Sequence, residues 1–344
     1  MTIKRRFAWV AVLVLLTLFA VSCGGKNLVS LAKLDKGDIT VRDMFGNQVT
    51  VPNPADFRKA LKEAKKVTDP KDQGGMTRTD YVIVGDAGMV AYDWDGKYLI
   101  YTDSQNKRQV YKGDLTSLIS GLAGLPPRIV TGKDLDANLS PGFAELAKTS
   151  DPWAASFFSQ GKQVLMITAG EVPSAGYNLQ LEKAELGQDG TLALTVTLNP
   201  PTGSADTVIS YPYIEVAIEG NREIDVRLVR TGSGGSRVEH VGLTKVESGQ
   251  KILPVRPERG SLVLERLTVA GFVKGGGSVD VAVEDGYNVL GRKTISASGD
   301  GQWVYFESGL SIAVPSNSNG RVYFSATVDG ETTQVEVPIA FSGK

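Results

Sequence analysis

The chain holds one cysteine, Cys23, and one histidine, His240, and these two scarcities remove whole classes of chemistry. A lone cysteine forms no intramolecular disulfide and builds no thiolate metal site. A Ser-His-Asp triad would have to use His240, yet no serine stands in a Gly-x-Ser-x-Gly elbow. His240 sits in Val238-Glu239-His240-Val241, which reads as a strand, so its expected role is structural. Net charge is scarce as well: 37 basic residues face 38 acidic ones. That balance leaves no electrostatic footprint for nucleic acid. Glycine clusters at 231–236 and 274–278 lack the Gly-Lys-Ser/Thr ending that cradles phosphate, and no cofactor is expected.

What is present begins at the amino terminus. Lys4, Arg5 and Arg6 precede an uncharged apolar run from Phe7 to Val21, the layout of a signal peptide. The run is shorter than the roughly 20 apolar residues that span a bilayer. Ala20-Val21-Ser22-Cys23 fits a lipobox, with Ala20 where leucine is commonest. Residues 1–22 are therefore expected to be a lipoprotein signal peptide, and Cys23 the lipid-modified first residue of the mature chain. Acylation would also exclude a catalytic cysteine. The expected location is the extracytoplasmic face of a membrane, with 34 basic against 38 acidic residues once the leader is gone. About 320 mature residues exceed what one hydrophobic core usually serves.

Periodicity divides the rest. After a tether at 23–34, residues 35–158 read as an α+β domain. Asn53-Pro54 signals a helix start, with Phe57, Ala60, Leu61 and Ala64 on one face. Arg58, Lys59, Lys62, Lys65 and Lys66 fall on its polar side, an ordinary solvated face or a contact for anionic headgroups. Short strands at 81–84, 89–92, 98–101 and 109–111 predict an antiparallel meander. Asp114, Ser140-Pro141 and Asp151-Pro152 each signal a further helix start. From Gln163 the pattern turns to strict alternation, as in Leu192, Leu194, Val196 and Leu198, which means strands with one buried face. Residues 159–230 form a β domain on this reading, 231–260 a linker or long hairpin, and 261–344 a β-sandwich near immunoglobulin size that would fold alone.

Gly170-Glu171, Gly176-Tyr177 and Tyr211-Pro212-Tyr213, set in alternating strands over 163–220, resemble the carboxy-terminal domain of the protease complex subunit PrcB. Ala175 stands where that family's first glycine would be. Residues 262–340 more weakly resemble the immunoglobulin-like domain of bacterial spore germination proteins. Both resemblances imply extracytoplasmic binding modules and not enzymes, and the first implies docking onto an exported protease. Gly176, Tyr177, Tyr211 and Tyr213 are the candidate partner-binding residues, since tyrosine is enriched at interfaces. Core packing would explain alternate tyrosines equally well.

The leading expectation is a membrane-anchored, non-enzymatic protein-binding or scaffold module. Two alternatives stay open. A carboxylate-based envelope hydrolase needs Asp86, Asp93, Asp95 and Asp103 to converge in one pocket. A ligand-binding sensor needs a sizeable apolar pocket with a few polar groups. Asp93-Trp94-Asp95-Gly96 lacks the further ligands of a calcium loop and reads as a turn, so no metal site is expected.

Overall fold

A computed structural model of the protein describes residues 27–68, 78–86, 88–132, 135, 143–203, 205–232, 235–299 and 301–342. The leader segment, Cys23 and Ser140-Pro141 lie outside the described residues. The described chain is mostly β, with few helices, and divides into two compact units at 1–125 and 126–344.

The first unit runs α1 (Leu28–Leu31), β1 (Thr40–Asp43), β2 (Gln48–Thr50), α2 (Pro54–Glu63), β3 (Lys65–Lys66), β4 (Tyr81–Val84), β5 (Met89–Asp93), β6 (Tyr98–Thr102), β7 (Arg108–Lys112) and α3 (Thr116–Ser120). Its strands form one antiparallel sheet in the order β2-β1-β4-β5-β6-β7-β3. Register aligns the buried side chains across it: Val41 faces Ile83, Ile83 faces Val90, Tyr92 faces Leu99, and Leu99 faces Tyr111. Leu28 of α1, Phe57 and Leu61 of α2 and Ile119 of α3 close over that row into one core. Pro54 opens α2 as the sequence predicts, but Asn53 bonds the Asp56 side chain at 2.7 Å and caps no backbone N–H.

The second unit contains β8 (Ile129–Thr131), α4 (Phe143–Leu146), β9 (Trp153–Ser159), β10 (Lys162–Thr168), β11 (Asn178–Leu186), β12 (Leu192–Asn199), β13 (Tyr213–Glu219), β14 (Ile224–Gly232), β15 (Gly235–Val241) and β16 (Leu243–Val246). Then follow β17 (Ile252–Arg256), β18 (Leu262–Val263), β19 (Arg266–Lys274), β20 (Gly277–Glu284), β21 (Val289–Ala297), β22 (Trp303–Ser311), β23 (Asn319–Val328) and β24 (Glu331–Phe341). Its sheets have the orders β16-β9-β10-β13-β8, β11-β12-β14-β15, β17-β19-β22 and β18-β24-β23-β20-β21.

Two of these sheets are buried on both faces. In β10, Val164 and Met166 enter a core with Trp153, Leu253 and Phe272, while Leu165 and Ile167, equally buried, point the other way. In β19 and β22, Phe272 and Tyr305 join that same core, while Val269, Val273, Val304 and Phe306 pack instead with Val281 and Phe324 of the last sheet. The Trp153 and Phe272 rings stack at 5.5 Å, and Phe272 meets Tyr305 at 5.2 Å.

The sequence draws its first boundary at 158, whereas β8 and β9 lie in the second unit, paired with β13 and β10. Asp151-Pro152 does not start a helix. Strand β9 begins at Trp153, because a segment buried across most of its length is held by its neighbours and not by a local cap signal. The 231–260 stretch contains the β14–β15 hairpin, and its strand β17 pairs with β19.

Candidate partner-docking site

The candidate residues lie on two loops that the chain stitches together. After β10, the backbone turns at Gly170, whose φ of +74° suits glycine and where a Cβ would lie 2.6 Å from the Asp151 carbonyl carbon. The Thr168 hydroxyl accepts from Gly170 N at 3.1 Å and lies 3.0 Å from Ala147 O. Val172 and Ser210 exchange both backbone hydrogen bonds, at 2.9 and 3.1 Å. Ala175 N donates to Asp206 O at 3.0 Å, and Ser210 Oγ to Ser174 O at 2.8 Å. Residues 169–176 and 206–212 therefore form one fixed surface.

The tyrosines divide by exposure. Tyr213 is 38% exposed at the start of β13. Tyr211 and Tyr177 are half-buried, and the Tyr211 hydroxyl donates to Glu171 Oε2 at 3.3 Å. Burial, with the Glu171 charge second, raises the Tyr211 pKa; burial, then Glu215, does the same at Tyr213. Both phenols stay neutral at physiological pH. Gly176 is exposed, with φ +90°, and its α-carbon faces Pro201. Sequence periodicity overlooks Val208 and Ile209, which are 63% and 55% exposed on the same loop. Their signal was two adjacent β-branched residues in a stretch that no strand claims.

The other candidates do not assemble. Asp93 Oδ1 accepts from Asp95 N and Gly96 N at 3.0 Å, and Asp103 Oδ1 from Gln105 N and Lys107 N at 2.9 Å. Each carboxylate closes its own hairpin. In a meander, the turns holding Asp86 and Asp103 lie a strand away from the turn holding Asp93 and Asp95, about 17 Å for five residues. No group of three or more metal-ligating side chains gathers among the described residues. His240 is 76% exposed and pairs with Asp225 at 3.1 Å, whose other oxygen takes Arg227 Nε at 2.8 Å. Arg58 leaves the basic face of α2 to donate to Leu34 O at 2.7 Å and to Gly37 O, while Lys59 and Lys62 stay exposed. No described helix is long and apolar enough to cross a membrane.

Two open grooves can be described among the described residues. One lies on the outer face of the last sheet and is lined by Asp280, Glu284, Arg292, Lys293, Tyr323 and Gln334, a charged surface and not an apolar pocket. The other, about 760 Å³, lies between β11 and the start of β13, with Leu181, Glu182, Tyr213 and Ile214 in its walls.

Among curated proteins none matches the chain. Among solved structures it is similar to an engineered protein known from a crystal structure, 25% identical over 29% of this chain and 21% of that one, with a TM-score of 0.22, which carries no fold argument. The informative match covers the candidate region: residues 163–219, from β10 through both stitched loops to β13, match the PrcB C-terminal family.

Proposed function

We propose that the chain is an extracytoplasmic lipoprotein, held on the membrane through lipid on Cys23, that docks an envelope protein without catalysing a reaction itself. The PrcB C-terminal match supports a protease as the partner class, and an exported one is the reading that fits an extracytoplasmic location. The observation that carries the docking reading is the exposure of Val208 and Ile209 on a loop tied down by paired backbone hydrogen bonds, with Tyr213 exposed where that loop enters β13. Apolar side chains held out into solvent on rigid backbone favour burial by a partner at little conformational cost. Tyr177 and Tyr211 are half-buried on the same two segments, and Gly176, at φ +90°, allows the turn between β10 and β11. The last two sheets, packed face to face around Val281 and Phe324, make an immunoglobulin-like sandwich the best description of the chain's final part.

Two variants test this reading. Cys23→Ser should release the chain from membranes or leave it unprocessed; unchanged fractionation with a retained acyl mass would overturn the anchor. Val208→Asp with Ile209→Asp should abolish co-purification of protease activity from the same membranes while leaving the melting temperature unchanged. Undiminished capture would place the interface elsewhere. Turnover by the purified chain that Asp93→Asn abolishes would replace docking by catalysis.

A further inference from the structure

An open sheet edge presents unpaired backbone N–H and C=O groups, and folded chains keep such edges short, bulged or covered. Strands β8, β16 and β18, each at the end of a sheet order, are two to four residues long. Strand β17 carries Pro254 beside a register shift, β11 shifts register between Leu181 and Lys183 and lies against β13, and β21 skips Leu290, whose carbonyl takes Ala313 N at 2.8 Å. Strand β22 lies against β21, where a Cβ on Gly291 would stand 2.9 Å from Ser311 O. Among the described residues, strand β15 has none of these protections. It runs seven residues without proline, its register with β14 is unbroken from Val226 opposite Val241 to Gly232 opposite Gly235, and β14 is its one strand neighbour in the sheet order.

Charge on an edge strand deters most pairing, so the sign and place of the charges on β15 decide what can lie beside it. Ser236, Arg237, Val238 and His240 are exposed and Glu239 is half-buried. Arg237 has no hydrogen-bond or ion-pair partner among the described residues, and Glu239 takes Arg230 Nε on Oε1 at 2.7 Å, which orders the carboxylate and leaves Oε2 to a further donor. Arg237 and Glu239 share one face of the strand, on either side of Val238. An antiparallel strand of the same sequence, related by a two-fold axis through Val238, sets Val238 against Val238, Arg237 against Glu239, Glu239 against Arg237 and Ser236 against His240. Every directly opposite pair is compatible, and the charged pairs are of opposite sign. We infer that β15 is a self-association edge, through which two copies of the chain pair antiparallel over residues 236–240 and join their β11-β12-β14-β15 sheets into one continuous sheet. Backbone pairing supplies the attraction and the Arg237–Glu239 pairs fix the register. The edge is separate from the loops at 169–176 and 206–212, so the inference stands independently of the docking reading.

The test is sedimentation velocity of the detergent-solubilised full chain over a concentration series, with Arg237→Glu, Glu239→Arg and their equal mixture beside the parent. The parent should pass from one chain to two as concentration rises. Arg237→Glu changes an exposed side chain, should leave the melting temperature unchanged, and sets two carboxylates against each other in both charged pairs, so the dissociation constant should rise at least about tenfold. Glu239→Arg should weaken self-association in the same way by opposing two guanidinium groups. Mixing the two variants restores opposite charge in both pairs and should give a mixed dimer tighter than either variant forms alone, a result that loss of folding cannot produce. A parent that stays single at every concentration, self-association indifferent to Arg237→Glu, or a mixture no tighter than its components would each overturn the inference.

Discussion

At the scale of single residues, the polar groups with the largest electrostatic effects serve the fold. Asp285 is fully buried and accepts four hydrogen bonds, from Ser316 Oγ at 2.6 Å, Ser316 N and Asn288 N at 2.8 Å, and Tyr287 N at 3.0 Å. These bonds, the Ser316 hydroxyl first, hold its carboxyl far below the usual range. A depressed folded pKa contributes stability that is present above the unfolded value of about 4 and is lost as pH falls below it. Asp285→Asn should therefore lower the melting temperature by several degrees at pH 7, with the gap to the parent closing on acidification below pH 4. Tyr92 shows the opposite sign. Its hydroxyl accepts from Leu115 N at 3.1 Å and lies 3.3 Å from Asp114 Oδ1, and burial pushes its pKa up to about 12. Its contribution is complete below about pH 10, the unfolded tyrosine value, and is lost as pH rises toward 12. Tyr92→Phe leaves the Leu115 N–H without its acceptor and should cost roughly 1–3 kcal/mol at neutral pH by urea unfolding.

At the scale of elements, local patterning was legible where one face is buried and the other wet. Strands β4 to β7, the Pro54 start of α2 and the burial of Phe57 and Leu61 all follow from spacing in the sequence. Asp114 does accept from Thr116 N, at 2.9 Å, next to the short helix α3. Strand β9 was not legible, because Trp153, Ala154, Ala155 and Ser156 are all buried and show no alternation. A strand buried on both faces has no period-two signal. Trp153 shows what holds it: its Nε1 donates to Leu146 O at 3.0 Å and its ring stacks on Phe272. Trp153→Ala should cost about 3–5 kcal/mol and broaden the unfolding of the second unit, measured by calorimetry.

At the scale of the molecule, the two-faced sheet β17-β19-β22 decides which pieces can stand alone. A fragment of residues 261–344 lacks β17 and leaves Phe272, Trp303 and Tyr305 without Trp153, Leu253 and Val255. The expected outcome is no cooperative transition for that fragment and a sharp one for 126–344, read by circular dichroism during heating. A cooperative 261–344 fragment would show that the β17 strand and the shared core are dispensable.

The candidate docking region divides along the same line. The leader pattern ending at Cys23, the alternation from Gln163, and the Gly170-Glu171, Gly176-Tyr177 and Tyr211-Pro212-Tyr213 elements are local, and one sequence suffices to read them. By itself the sequence determined the export expectation, the β-rich character and the segment that matches a family, because each depends on neighbours within a few positions. Only the tertiary structure decided that the turns of Asp93 and Asp103 stand at opposite ends of β6 and that Val208 and Ile209 face solvent. Those outcomes depend on which strands become neighbours, and strand pairing joins residues whose separation along the chain leaves no trace in local periodicity.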